Sequence, residues 1–596
     1  MLSKRDFFSI FLMMLTLFFI FQFSQVVKEL GNEYDVNGHV TEVALEASDV
    51  PVTDSSRCVW YIGDINSGVG DAVSQWCTYT RQELKVFSEI PEPVTDSNIE
   101  AIVFDTETCD IRNKTDKLKR LAGMKSVMIF GNLPDAAYID SDEDLKALLG
   151  ITKVVDTDIH VEGVQIFSGF LFGGEAVYLA HDEDEKKFED LDLDIAWFDT
   201  GLGTKTYIVG IMDEDVVHPY DFPKMIWRSY NNGTFIYAVN GDYLQGMMGI
   251  GFLDAMMWDT KDYYIYPIVN ANNVVISDFP SLSDENKEKL MSIYSRNVEA
   301  FQRDIAWPGL VTMSSLRDFK MTCFISDRYD YSDSGVESNN EIRSYLQMLN
   351  ELGAEAGRSM DYKGDISLAQ KSESSRIFFA NEGIDYQFRS LYIKKWDDAL
   401  KTVLEEQEPQ IRTVVGGDRK NDQAISFCSE NVTLQYVTNK AEEYTYKNAL
   451  LYRSLLTSLG YTNVLIDMNK ALWPETKDDE WQNFFDKVFS YYTTYWSDRL
   501  GFATTTISES DARIRKMLSV SYDSEMNGKE IVLNSSGADE NYFVLRTHEM
   551  EIASVTDNVE YTLIEQDVYL LKVRPGKSII KLKDAENVYQ YEGPLK

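Results

Sequence analysis

An aspartate that follows a run of apolar, β-prone residues stands at the end of a strand, where side chains can converge on a site. Asp278 is such a residue, closing Val274-Val275-Ile276-Ser277-Asp278. Asp327, Asp330 and Asp333 follow the next such run, Met321-Thr322-Cys323-Phe324-Ile325. An all-oxygen set of this kind can hold a hard cation, and Asp278 with Asp327 can work as paired carboxylates on a glycosidic bond. A solvated acidic loop is the plainer reading of the later three. The five histidines are His39, His160, His181, His218 and His548, none of them between 266 and 520, so that region has no imidazole of its own for ligand or general acid. No G-x-S-x-G elbow is present, and none of the five cysteines sits in a glycine-flanked turn. The turn Gly63–Gly70 lacks the Lys-[Ser/Thr] of a phosphate loop, and Gly249-Ile250-Gly251 fails the dinucleotide fingerprint. Asp140–Asp144 opens like a calcium loop but has Ile151 where the twelfth-position Glu belongs.

The elements that must position these residues alternate between strand and helix. Cys58–Gly63, Ala101–Phe104 and Ser126–Phe130 are expected strands separated by helical stretches, which favours a parallel α/β sheet. Val164–Phe172, Val177–Leu179, Thr206–Ile211 and Thr234–Val239 extend it, and residues 56–265 form the first expected domain. From 266 to 523, further strands (Val274–Ile276, Met321–Ile325, Ile377–Ala380, Thr413–Val415, Val432–Val437, Val464–Met468) alternate with helices such as Glu341–Leu352 and Asn448–Leu459. That repetition suits a (β/α) barrel, complete or partial. Residues 524–596 read as short strands punctuated by Gly, Pro and Asn, a small β-sandwich.

The chain begins with Lys4 and Arg5 ahead of the apolar run Phe7–Phe23. With its flank this run is just long enough to span a bilayer, and no small-residue cleavage site follows. The expectation is an uncleaved signal anchor over 1–30 with a cytoplasmic N-terminus, a linker over 31–55, and the rest extracytoplasmic; a cleaved signal peptide is the competing reading. The 596 residues carry 57 Lys+Arg and 97 Asp+Glu, a net −40. Lys4, Arg5 and Lys28 against Asp6 and Glu29 give the anchor +1, so the remainder carries −41. Such acidity argues against nucleic acid and anionic lipid as partners and favours a cationic or neutral ligand. Five Cys and five His are too few for a disulfide scaffold or a Cys/His zinc protein. Aromatic clusters at Tyr491–Trp496 and Tyr263–Tyr266 offer either sugar platforms or core.

Residues 274–392 resemble the NodB-homology polysaccharide deacetylases, which remove N-acetyl groups from amino-sugar polymers. The family's strand ending in paired Asp is similar to Ile276-Ser277-Asp278-Phe279-Pro280, and its next strand to Met321–Ile325. Its Gly-His-Glu-Ile-Gly-Asn-His-Thr pattern corresponds to Gly353-Ala354-Glu355-Ala356-Gly357-Arg358-Ser359-Met360, and its Arg-x-Pro-Tyr element to Arg389-Ser390-Leu391-Tyr392. By this resemblance Ser277 stands at the base, Asp278 at a metal position, and Ala354 and Ser359 at the His ligand positions. The first domain is weakly similar to class I glutamine-amidotransferase-like and flavodoxin-like domains, through the Leu148-Leu149-Gly150-Ile151 turn and the Asn240-Gly241-Asp242 turn, without the nucleophilic Cys.

The resemblance implies a membrane-anchored bacterial protein with a degenerate deacetylase barrel that needs no cofactor or metal. It would bind or guide an amino-sugar exopolysaccharide, or scaffold synthase and export subunits of the Pel type. Asp278 is the remaining catalytic candidate, and Asp278, Asp327, Arg389 and Tyr392 the candidate ligand-binding residues. The alternative is a divergent deacetylase or a carboxylate-based glycoside hydrolase.

Overall fold

A computed structural model describes residues 43–45, 54–94, 98–124, 126–179, 191, 193–213, 217–280, 286–332, 339–418, 422–441, 444–475, 480–487 and 501–585. The expected anchor over 1–30, His39, His181, Asp333 and the cluster Tyr491–Trp496 lie outside these residues, as does most of the linker. Among the described residues no helix is long and apolar enough to cross a membrane.

The first sheet is built from β1 (Asp54–Ile62), β2 (Gln82–Phe87), β3 (Ile99–Phe104) and β4 (Val127–Phe130), which are mutually parallel. Beyond them come β5 (Ile151–His160), β6 (Gly163–Ile166), β7 (Ala176–Leu179), β8 (Asp194–Thr200), β9 (Lys205–Ile211), β10 (Lys224–Asn231) and β11 (Thr234–Val239). Its order is β2-β1-β3-β4-β11-β10-β9-β6-β7, with β11 still parallel to β4 and the remaining pairs antiparallel. The five parallel strands thus follow the 2-1-3-4-5 order of flavodoxin-like sheets. β1, β3, β4 and β11 read as largely apolar runs because both faces are covered, whereas the edge strand β2 (Gln-Glu-Leu-Lys-Val-Phe) is partly exposed. The run expected as a strand over Val164–Phe172 is shorter: β6 ends at Ile166, and Phe170, Leu171 and Phe172 turn into the core. The ribbon of β5 and β8, which the apolar pattern does not signal, stands apart from this sheet.

The second sheet comprises β13 (Ala271–Phe279), β14 (Met321–Ile325), β15 (Glu355–Ser359), β16 (Ser390–Ile393), β17 (Thr413–Gly416), β18 (Ile425–Ser429), β19 (Val432–Tyr436), β20 (Asn439–Lys440) and β21 (Tyr461–Asp467). β19, β17, β16, β15, β14, β13 and β21 run parallel in that order. The chain over 432–441 then joins the two ends. β19 pairs with β17, and two residues later β20 pairs with β21. Thr438 N donates to Asn463 O at 2.9 Å and Ala441 N to Leu465 O at 2.7 Å. One continuous stretch therefore closes seven parallel strands into a ring around Val275, Phe324, Tyr392, Val415, Val437 and Leu465.

Ile507 belongs to the same interior cluster and comes from the helix Ile507–Ser519. A capping box between Thr506 and Glu509 starts that helix. It plugs the ring at the N-terminal ends of the strands. Ile377–Ala380, expected as a strand, is instead the last turn of the helix Leu368–Asn381. That helix is nucleated by a second capping box, Ser367 with Gln370, which outweighs the local apolar run.

Two four-stranded sheets complete the fold. β22 (Ser521–Asn527), β23 (Glu530–Ser536), β25 (Met550–Val555) and β28 (Gly576–Asp584) form one. The other contains β24 (Asn541–Thr547), β26 (Val559–Glu565) and β27 (Val568–Val573), together with β12 (Tyr263–Ile268). β12 spans the expected 265/266 boundary and buries Tyr264 and Tyr266, so these rings are core and not a platform. The helix Gly246–Trp258 is apolar all round and buried on every side. A Cβ on Gly249 would come within 2.7 Å of Ala72, and one on Gly251 within 2.2 Å of Ser454 O. The Gly-Ile-Gly that fails as a nucleotide fingerprint thus serves two close crossings, Gly249 against the helix Gly68–Thr80 and Gly251 against the barrel's helix Tyr446–Leu459.

Candidate functional site

The C-terminal ends of the barrel strands gather four ionisable side chains: Asp278 from β13, Asp361 after β15, Lys394 after β16 and Asp467 from β21. A register shift between Ile276 and Phe279 marks the end of β13, and Asp278 adopts φ 53 while fully buried. A left-handed, buried, non-glycine residue stores strain that the surroundings must hold, a pattern concentrated at functional sites. Ser359 Oγ donates to Asp278 Oδ1 at 2.5 Å, and Asn469 Nδ2 donates to Asp278 Oδ2 at 2.8 Å. Ser359 Oγ in turn accepts from Asp361 N at 3.2 Å. Asp467 Oδ2 pairs with Lys394 Nζ at 3.0 Å, and its Oδ1 accepts from Ser277 Oγ at 3.4 Å and Asn469 N at 2.9 Å.

This arrangement leaves acceptors unused. Asp361 Oδ2 and Asn469 Oδ1 are buried with no hydrogen-bond partner, and Asn469 is only 9% exposed. Burial, then the charges of Asp361 and Asp467, push the Asp278 carboxyl well above the usual carboxylate range. Burial lifts Asp361 to about 6 against the pull of Lys394. Lys394 is held above its ordinary value because Asp467 and Asp361 outweigh its own burial. Tyr392, fully buried in β16, is raised by burial and then by Asp467 and Asp278. The cluster reaches solvent through Lys394, whose side chain is 31% exposed. Beside it lies a cavity of about 240 Å³ lined by Gly417, Thr438, Asn439 and Lys440. A Cβ on Gly417 would sit 2.6 Å from Tyr392 Oη.

Of the residues expected at the site, Asp278 and Tyr392 share this end of the barrel, and the other two do not join them. Asp327 Oδ1 is engaged by Lys371 Nζ at 2.8 Å and Ser375 Oγ at 2.5 Å, a buried pair tying β14 to the helix Leu368–Asn381. The expected Asp278–Asp327 acid–base pair is therefore replaced by Asp278 with Asp361 and Asp467. Arg389 precedes β16 and lines a cavity with Arg412 and Arg515 at the opposite end of the barrel. Asp330 bonds Ser332 and pairs with Lys363 at 3.3 Å, so it is a loop residue.

The family-like letters of 353–360 have structural jobs. Gly353 takes φ 65 in the turn after the helix Asn339–Glu351. Gly357 makes room for the Phe324 ring, which a Cβ would meet at 2.4 Å. Glu355 anchors the plug: Ser508 N, Ser508 Oγ and Ser390 Oγ all donate to it at 2.6–2.8 Å. Ala354 and Ser359 flank β15 at its two ends, about 16 Å apart at the rise of a strand. They cannot be two ligands of one ion, and only Ser359 adjoins Asp278. Among the described residues no three His, Cys, Asp or Glu side chains form a metal-ligand group. His160, His218 and His548 all lie outside the barrel.

In the first sheet, the Gly63–Gly70 turn serves Asp105. That carboxylate takes Ser67 Oγ at 2.7 Å, Asn132 Nδ2 at 2.9 Å and Tyr61 Oη at 3.1 Å, so its acceptors are filled from within. Asp142, in the run that opens like a calcium loop, instead caps a helix by accepting from Leu145 N at 3.0 Å. All five cysteines are free thiols.

Fold and site together define an α/β protein with an open parallel sheet, a closed parallel barrel and a carboxylate-rich barrel mouth. A family model described as "Uncharacterised protein conserved in bacteria (DUF2194)" matches residues 104–360, from the end of β3 to just past β15. No curated protein matches the chain. Solved structures with some likeness include an exo-β-1,4-mannosidase from Opitutaceae bacterium strain TAV5, at 9% identity and TM-score 0.22, with 35% of this chain and 34% of that one covered. A candidate polysaccharide deacetylase from Mycobacterium smegmatis has 11% identity and TM-score 0.22, with 33% and 76% covered. A GH30 endoxylanase from Clostridium papyrosolvens has 10% identity and TM-score 0.22, with 55% and 100% covered. This chain spans about a third of the mannosidase, and TM-scores this low do not bear on its chemistry.

Proposed function

We propose that the barrel mouth receives the ammonium group of a partly deacetylated amino-sugar polymer, in a membrane-anchored extracytoplasmic protein that accompanies the polymer's synthesis and export without cutting it. One observation supports this reading above others: Asp278, Asp361 and Asp467 all lie within electrostatic reach of one lysine, which is ion-paired to Asp467, and buried acceptor atoms are left unpartnered. A ligand that brings N–H donors and positive charge supplies what those atoms lack. The net −41 beyond residue 30 draws such a polymer in from a distance. The test is equilibrium binding of the full chain to glucosamine hexamer and to N-acetylglucosamine hexamer at low and high salt. The expected result is at least tenfold preference for the amine form, weakened by salt and lost in Asp361→Asn. Equal affinity for the two hexamers refutes it.

The second reading is a hydrolase. Asp278, whose carboxyl is pushed well above the usual carboxylate range by burial, lies in the same cluster as the ion-paired Asp467, which is the asymmetry of a general acid and its partner. Release of acetate or of reducing ends from the acetylated hexamer, abolished by Asp278→Asn, would establish it. Absence of both products removes it.

A further inference from the structure

A sizeable cleft lies far from the barrel mouth in chain terms, against the β5–β8 ribbon. It encloses about 590 Å³, within the roughly 300–1,000 Å³ of small-molecule sites. Its lining combines Trp197 and Tyr220 with His218, Asp199, Thr200 and Lys153. Tyr220 is 51% exposed, large for an aromatic residue, and it is not loose. The His218 ring stacks on it at 4.9 Å between centroids and 11° between planes, and Tyr220 N donates to His218 Nδ1 at 3.3 Å. Trp197 is oriented by its Nε1–H, which donates to Asp221 O at 3.2 Å. Two aromatic side chains of fixed orientation thus share one cleft with a hydroxyl, a carboxylate and an ammonium group.

We infer that this cleft is a carbohydrate-binding site in which a pyranose ring packs its C–H face on Tyr220 or Trp197. The ring hydroxyls would be met by Asp199, Thr200 and Lys153. A sugar matches both halves of the lining, since each ring carries an apolar face and a polar rim. A phosphate-bearing ligand matches less well, because no arginine is among the described lining residues, Lys224 Nζ donates to Tyr220 O and Phe222 O, and the surrounding chain is strongly anionic. The site stands independently of the barrel mouth, whose cluster shares no residue with it. A polymer held at both places would gain avidity from the second contact.

The test titrates the full chain with N-acetylglucosamine hexamer, glucosamine hexamer and cellohexaose, read by tryptophan fluorescence and by calorimetry. Saturable binding of N-acetylglucosamine hexamer or cellohexaose is expected, separate from the amine-dependent binding at the barrel mouth. It should weaken tenfold or more in Tyr220→Ala combined with Trp197→Ala, and survive in Tyr220→Phe, which keeps the stacking face. Asp361→Asn, which alters only the barrel mouth, should leave this component of binding unchanged. Three flat titrations overturn the inference. So does binding of N-acetylglucosamine hexamer or cellohexaose that the double variant retains within twofold, or that falls with Asp361→Asn alone.

Discussion

The two ends of the barrel are made of the same materials and are wired in opposite ways. At the N-terminal end of the strands, polar side chains meet the plug helix and each other. Glu355 takes three donors. Asp511 binds Arg515 Nε through both oxygens at 2.9–3.0 Å and Thr433 Oγ1 at 2.5 Å. Gln435 donates to Thr413 and Ile507 O and accepts from Ser510 at 2.9 Å. At the C-terminal end, Lys394 pairs with Asp467 while Asp361 and Asp278 only feel its charge, Asp278 is held at φ 53, and acceptors of Asp361 and Asn469 go unmet. One end spends its polar groups on holding the ring shut, and the other keeps them in reserve. In parallel barrels chemistry gathers at the strand C-termini and stability at the other end, and this chain expresses that division through which atoms have partners.

The most damaging change is predicted at the base. Arg515 is buried, and besides Asp511 it donates to Leu45 O, Arg412 O and Asn431 O at 2.7–2.9 Å. Arg515→Met strips Asp511 of its cation and three carbonyls of their donor, for a loss of roughly 3–5 kcal/mol in denaturant unfolding. Glu355→Ala comes next, at roughly 2–4 kcal/mol, because it leaves the plug's N-terminal N–H and two hydroxyls without an acceptor. If either variant unfolds like the parent, the base is not the lock described here.

The mouth should respond with the opposite sign. Asp278→Asn keeps a residue that tolerates the left-handed backbone and removes a buried carboxyl crowded by two others. An amide flip of Asn469 would turn its unpartnered Oδ1 toward the N–H₂ that the substitution introduces at position 278, satisfying both. Stability is expected to rise by about 1–2 kcal/mol while affinity for glucosamine hexamer falls tenfold or more. A destabilised Asp278→Asn would mean that the mouth is as structural as the base.

This contrast was only partly legible in the residues. The parallel strands announce themselves as apolar runs, and Asp278 stands out because it ends one. Asp467 ends Val464-Leu465-Ile466 in the same way, and Lys394 follows Leu391-Tyr392-Ile393, so polar residues just past barrel strands were the available signal. Asp361 had none, because β15 reads Glu-Ala-Gly-Arg-Ser, with too few apolar letters to look like a strand. The plug helix could have been found from Thr506-Ile507-Ser508-Glu509, a capping-box spacing, although its polar face points into the barrel where a sequence pattern expects solvent. The matched letters Gly353, Glu355 and Gly357 speak to the scaffold and not to chemistry, for a physical reason. They specify a turn, a plug anchor and space for a ring, all of which a barrel needs whether or not it catalyses anything.

The smallest predicted effect tests the same contrast through pH. Asp361 faces Asp278, Asp467, Lys394 and Lys395, and burial raises it to about 6. In the unfolded chain it returns to about 3.9. Between those values the native state keeps a proton that the unfolded state has released, so stability falls as pH rises through about 4 to 6 and levels off above. Because the group is partly screened by solvent, the drop attributable to it is about 1 kcal/mol. Unfolding of wild type and Asp361→Asn compared across this window should show the variant gaining on the parent as pH rises. Affinity for glucosamine hexamer should climb in the wild type over the same window, since the ligand's charge favours the ionised carboxylate. Parallel stability profiles for the two proteins would place Asp361 with the partnered groups of the base.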